Sequence, residues 1–429
     1  MHSARVCSAP KRTAELKGQG KMTITTATLT PARPAHIPPD RVVDYDVYRG
    51  AFPDEEPELH HGLYRLGEEH GRGIFWTPHN GGHWFINDFE LLFEAARQPE
   101  LFSSTEMTIP PVPVEPRLIP LFLDPPEHGL FRAPLMRQFT PGRIAAMEAG
   151  IREFTNELID AFEAKGRCEF VEAMAEPLPI KIFMRIMGMP LDRLREFRDW
   201  ILDMLSPDDD RRASSYANIA ALMDGLIRER QSEPSDDLIS HLLTLEIGDR
   251  PIAYEEVQAY CLLLFAAGLD TVANALAFAM QFMATRPDLQ ARLSADPTLI
   301  PEAVEELLRK FGVPMPARTA TCDFNFGGAD IRKGERVLLM LPACNLDSAA
   351  FPDPCAFDLD RKNKAHIAFN VGPHRCIGSH LARLELKVFW EEWLRRIPSF
   401  RLDPQRPATY RAGLTLAVQE LGIAWGSPT

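Results

Sequence analysis

The sequence predicts a mainly α-helical chain of the α+β class, a helix-rich domain carrying small β-sheets. Three observations predict it. Seven long stretches repeat apolar residues at helical spacing, at 127–138, 143–164, 191–205, 213–232, 254–285, 300–311 and 377–396. Strand-like runs are short and few, at 323–326, 336–340 and 414–418. No internal repeat and no Pro/Gly linker separates the helices, so a single domain over 42–429 is expected, although 429 residues suffice for two or three.

Taken in order, the first 21 residues are basic and lack a continuous apolar run, so neither a signal peptide nor a membrane anchor is expected. They read as a flexible leader, with Met22 as an alternative start and a transit peptide as the minor alternative. Together with a proline-rich stretch at 31–39 they make a flexible extension over 1–41. At 73–87, β-branched and aromatic residues flank Asn80-Gly81-Gly82 and predict a hairpin, followed by an amphipathic helix over 89–97. From Ser103 to Pro126 the sequence is too rich in proline for helix and too apolar for a solvated linker. Long apolar loops of this kind cover binding sites. The 254–285 stretch is apolar nearly all round, as a helix through a protein core must be. Asp270 at its centre would cost about 2.5–3.5 kcal/mol in a bilayer, which argues against a membrane span.

A formal net charge of -13 disfavours general nucleic-acid binding, which needs a basic face. The seven cysteines, Cys7, Cys168, Cys261, Cys322, Cys344, Cys355 and Cys376, stand singly and in odd number without CxxC spacing. Neither a disulfide framework nor a zinc cluster is expected, and a reducing cytoplasm fits best.

Cys376 differs from the other six, which read as small buried hydrophobes. It stands in the run Phe369-Asn370-Val371-Gly372-Pro373-His374-Arg375-Cys376-Ile377-Gly378, just before helical sequence that begins near Ile377. A helix start stabilises an anion, so this loop suits a thiolate. Gly372 permits a tight turn, and Gly378 permits backbone to approach the sulfur. Glu306 and Arg309 lie three apart on one helix face, where their charges can meet. His128 and Arg132 are spaced to share a face, and Ala267-Gly268-Leu269-Asp270-Thr271 places two small residues beside an acid and an alcohol. The Thr271 hydroxyl can bond back to the Ala267 carbonyl and open the helix ladder.

The cysteine run matches the pattern FxxGxHxCxG and resembles the haem-binding loop of the cytochrome P-450 family; chance would produce it about once in several thousand chains of this size. Glu306-Leu307-Leu308-Arg309 resembles the family's ExxR element, His128–Arg132 its HxxxR element, and the Ala267–Thr271 run its oxygen-activation motif. Over nearly the whole ordered chain, stretches such as LFSS, DPPE, GLDTV, EELLR and HLARLELK are most similar to the soluble bacterial camphor hydroxylase group.

The resemblance implies a cytochrome P-450 fold around a buried haem b, with Cys376 as axial ligand of the iron. It implies His128, Arg132, Arg318, Phe369, His374 and Gly378 as cofactor-binding residues, the basic ones pairing with the propionates. Asp270 and Thr271 would be catalytic, organising water and relaying protons to dioxygen. Glu306 and Arg309, with Arg361 as a third member, would form a structural ion network. The implied pocket comprises Leu118, Leu121, Leu263, Ala266, Ala267, Pro314, Leu414 and Thr415, almost all apolar, so shape and desolvation would select the ligand. Pro116 stands where the camphor enzyme has its ketone-binding tyrosine, and Pro316 replaces an aspartate near the propionates. A terpenoid, norisoprenoid or similar alicyclic substrate is therefore expected, hydroxylated with O2.

No GxGxxG follows a strand, so electrons must come from another protein. The resemblance implies a two-iron ferredoxin served by an NADH-dependent flavoprotein reductase. Lys364, Arg375, Arg383 and Arg137 are candidates for a salt-sensitive docking face. The alternatives are a peroxide-driven enzyme and a non-catalytic haem sensor or ligand carrier.

Overall fold

In the computed structural model the described residues are 32–52, 58–111, 117–204 and 209–426. One helix, Tyr254–Ala284, organises the rest. Its N-terminus is closed by Glu256, whose carboxylate accepts from the Ala253 amide at 2.7 Å. Its first half packs into an apolar cluster with the helices Pro177–Ile186, Leu194–Met204 and Asp209–Ser232. Its second half packs into another with Glu148–Asp160, Ile300–Lys310 and Ser379–Arg396. Among the described residues it alone has the length and apolarity to cross a membrane, and about half of its most apolar window, 53%, is buried against protein.

The predicted hairpin forms: Ile74–Thr77 pairs antiparallel with His83–Ile86, the turn carrying Asn80 at φ 55°. The sheet continues through Arg336–Leu339, Ala317–Ala320 and Phe102–Ser103, its one parallel pairing lying between His83–Ile86 and Arg336–Leu339. Asp88 caps the next helix, Phe89–Ala95, through the Leu91 amide. A second sheet joins Phe400–Leu402, Gly422–Trp425 and Arg167–Glu169. A separate hairpin pairs Thr409–Arg411 with Ala417–Glu420.

Several boundaries differ from expectation. The extension was placed at 1–41; residues 1–31 lie outside the described residues, but Ile37 is already fully buried and Pro39–Arg41 form a 3-10 turn, so packed chain begins before 42. The 143–164 stretch divides into Pro141–Ala145 and Glu148–Asp160. The last long helix starts at Ser379 rather than Ile377. Leu59–His70, Pro177–Ile186 and Pro287–Ala295 are additional helices.

His60, on the Leu59–His70 helix, is enclosed by Phe278 and Phe311 and shares a 2.7 Å hydrogen bond with the Gly312 carbonyl. Burial pushes this imidazole down to about 4, and does the same to His83. Between pH 6.5 and 4 the unfolded chain therefore binds protons that the folded chain refuses, and stability must fall as pH falls through that window. The expected slope is about 1.4 kcal/mol per pH unit for each ring. Urea unfolding from pH 7 to 4.5 checks it; His60→Gln should flatten the decline by one ring's share.

Candidate haem-thiolate site

The cysteine loop is held from both sides. The Cys376 amide bonds the Phe369 carbonyl at 2.8 Å, and Arg383 lies over the Phe369 ring at 4.6 Å. Gly372 has φ 70°, and a side chain there would bring its Cβ within 2.4 Å of the Ala96 carbonyl oxygen, so only glycine fits. A Cβ on Gly378 would lie 3.9 Å from the Cys376 sulfur. Cys376 keeps exposed surface in this loop. Burial raises the thiol above its usual range, opposed by the Gly378 backbone, Arg132, Arg383 and Arg375.

Beside this loop the structure gathers basic groups, with Asp124 as the one carboxylate acting on Arg318 and His128 among the described residues. The His128 and His374 rings are 4.3 Å apart. Arg132 donates to the Arg375 carbonyl. Arg318 is fully buried and donates through one guanidinium nitrogen to the Ala317 carbonyl at 2.8 Å. Among the described residues, Arg318 Nη2, His128 Nε2 and His374 Nε2 are buried with no hydrogen-bond partner. A buried guanidinium nitrogen and two buried ring nitrogens left without partners are costly unless a polar group meets them. Burial and then Arg318, His128 and Arg132 push the His374 imidazole down to about 2; burial and Arg132 push His128 down to about 4. Burial also holds Arg318 down to about 10. A dianionic carboxylate group beside a sulfur ligand fits this donor set, and the propionates of haem b have that chemistry.

The central helix turns small residues outward. Ala266, Ala267 and Gly268 are exposed although they belong to a core helix, and Gly268 faces the Phe183 ring. Thr271 Oγ1 donates back to the Ala267 carbonyl at 3.4 Å, as its spacing predicted. Asp270 Oδ1 accepts from Asn274 Nδ2 at 2.8 Å, while Asn274 Oδ1 accepts from the Val418 amide at 3.2 Å. Burial raises the Asp270 carboxyl above its ordinary range, against the pull of Arg411 and Asn274. Asn274 is a supporting residue that the sequence did not single out.

The expected pocket residues lie on three segments. Pro314, Leu414 and Thr415 are brought together where 413–416 pairs with 313–315: Met315 N bonds Leu414 O at 2.7 Å and Leu416 N bonds Val313 O at 3.1 Å. Pro316 is half-buried beside this junction. Leu118 and Leu121 are half-buried on the apolar loop, which Asp124 closes by accepting from Ser103 Oγ and the Ser104 amide at 2.5 and 2.8 Å. Pro116 lies outside the described residues. Leu263 is buried on the central helix, one turn before the exposed Ala266 and Ala267.

Glu306 and Arg309 form a fully buried two-pronged pair, both contacts 2.9 Å, and Arg361 adds a third at 2.9 Å to Glu306. Arg309 also donates to the carbonyls of Asn345 and Pro354. The network pins the segment that leads into the cysteine loop.

A buried arginine and two imidazoles with unmatched nitrogens, set beside a cysteine in a glycine-bounded loop, fit a haem-thiolate protein. Residues 180–416 match the family described as Cytochrome P-450. The chain is 31% identical over 400 residues to the probable cytochrome P-450 127A1 of Sinorhizobium fredii, covering 91% of this chain and 96% of that protein. It is 34% identical to the steroid C26-monooxygenase of Mycolicibacterium smegmatis, over 76% of this chain and 84% of the other. The crystal structure of CYP101J2 superposes with a TM-score of 0.86 at 34% identity, over 92% of this chain and all of that one. CYP101C1 gives a TM-score of 0.85 at 32% identity. The chain belongs to the cytochrome P-450 family, and with it to the haem b monooxygenases.

Proposed function

We propose that the chain is a ferredoxin-dependent hydroxylase of a small, largely apolar alicyclic molecule, of the terpenoid or norisoprenoid kind. Haem b held by the Cys376 thiolate supplies the dioxygen chemistry, since thiolate donation favours O–O cleavage. Arg132, Arg318, His128 and His374 answer its propionates, and Gly378 allows the backbone over the sulfur. The apolar walls from Leu118 to Thr415 exclude water and hold the substrate by shape. Thr271, bonded to Ala267, opens the helix beside the small residues and orients water there. Asp270, its carboxyl raised above the ordinary range by burial, would relay protons beside Thr271.

The observation that carries turnover over mere haem carriage is the Asp270–Asn274 and Thr271–Ala267 pair of hydrogen bonds, which hold an acid and an alcohol on adjacent residues at the exposed groove. Thr271→Ala should retain substrate binding and the carbon-monoxide spectrum while product formation falls about 10²-fold, with electrons diverted to peroxide. NADH consumption, peroxide and product measured together check this; unchanged coupling would remove Thr271 from the proton path. Full activity with peroxide alone would favour the peroxygenase reading.

For the electron donor, the exposed Arg375 and Arg137 support an acidic carrier near the cysteine loop. Lys364 and Arg383 contribute less than expected: Lys364 is paired with Glu302 and Arg383 with Glu305. Such a chain would work in the cytoplasm, where its thiolate and its carrier stay reduced.

A further inference from the structure

The strand Thr409–Arg411 carries a cation that the haem chemistry does not use. Its neighbour Tyr410 faces the core, the ring parallel to Phe278 with centroids 6.3 Å apart and the hydroxyl bonded by Gln281. Side chains alternate along a strand, so Arg411 takes the other face. Arg411 pairs in register with Ala417, next to Val418, whose amide is tied through Asn274 to Asp270. Two residues further along, Gly413 meets Tyr48: a Cβ there would lie 3.6 Å from the Tyr48 ring. The Tyr48 hydroxyl donates to the Ile109 carbonyl at 2.6 Å, which joins this corner to the apolar loop. The Leu414–Thr415 turn follows at once.

Arg411 thus stands at the junction of the apolar loop, the central helix and the turn that lines the pocket. It is half-buried, and its charge acts on both the Tyr48 phenol and the Asp270 carboxyl. Among the described residues it has no hydrogen-bond or ion-pair partner, although its guanidinium offers five donors. The other expected pocket residues, Thr415 apart, are apolar. We infer that Arg411 is the polar anchor of the substrate pocket, donating to an acceptor oxygen, ketone or carboxylate, at one end of an otherwise apolar substrate. The inference rests on the hydroxylase reading above and narrows its substrate class.

Three ligands of one skeleton test it: adamantane, adamantanone and adamantane carboxylate. Their dissociation constants are measured on the haem-loaded wild type, Arg411→Gln and Arg411→Lys, by the ferric spin-state shift and by calorimetry. A hydrogen bond to a charged donor predicts that at least one oxygenated ligand binds wild type roughly 10–100-fold more tightly than adamantane. Arg411→Gln should erase that preference with adamantane affinity unchanged, and Arg411→Lys should restore part of it. Discrimination for the ketone alone or the acid alone identifies the acceptor. Equal weakening of all three ligands would make Arg411 a structural residue, and no change in any would make it a solvated one; either result overturns the inference. Failure of the hydroxylase reading looks different: the preference survives in binding while no ligand yields an oxygenated product.

Discussion

Replacing Cys376 by alanine should leave a folded protein that has lost the carbon-monoxide signature of thiolate-ligated haem and all monooxygenase turnover. The fold should survive because the loop is held by backbone and by neighbours, through the Cys376 amide on Phe369, the Gly372 turn against Ala96 and the Arg383–Phe369 stack, none of which uses the sulfur. Turnover should not survive, because thiolate donation is the property that favours O–O cleavage. The cluster of Arg318, His128, His374 and Arg132 remains in the variant, so weak haem retention without thiolate character is the expected state. Circular dichroism, haem content and the reduced carbon-monoxide spectrum separate these effects. A variant that kept the thiolate spectrum would remove Cys376 as the ligand and with it the central assignment.

The second large effect falls on stability. Glu306 is fully buried and balances two guanidinium groups, Arg309 at two contacts and Arg361 at one. Glu306→Ala would strand both cations in a low-dielectric interior, at an expected cost of about 3–5 kcal/mol. Native domains are stable by only about 5–15 kcal/mol, so most of the variant should be insoluble or depleted of haem. Arg309→Leu alone should be comparably damaging. Glu306→Ala combined with Arg309→Leu should cost less than the sum, because part of each single penalty is the partner left uncompensated. Denaturant midpoints of the four proteins provide the cycle, and simple additivity would mean that the two side chains act independently.

The helical class of the fold was legible where apolar spacing ran long, as in Tyr254–Ala284, Asp209–Ser232 and Ile300–Lys310. It was illegible where spacing lost its period. Pro177–Ile186 is buried on nearly every side and holds two prolines, so no polar face marks it as helix. Leu59–His70 carries His60, His61 and two glycines, and its character shows only when Phe278 and Phe311 close over His60. The sheet of Arg167–Glu169, Phe400–Leu402 and Gly422–Trp425 consists of strands of three or four residues drawn from distant parts of the chain, too short to declare themselves locally.

The site divides along the same line. The Thr271–Ala267 bond and the Glu306–Arg309 pair were readable because each depends on fixed local spacing. Asn274, Tyr48 and Arg411 were not, because each matters through a neighbour supplied by another element. For the docking candidates Lys364 and Arg383, charge is visible in sequence, but the Glu302 and Glu305 that pair with it are visible only in space.

The contact between Gly372 and Ala96 also bears on how the protein is made. The cysteine loop rests on the end of a helix from much earlier in the sequence, so the Cys376 sulfur is not presented correctly until these distant segments have docked. Capture of the cofactor would then follow that long-range docking rather than precede it.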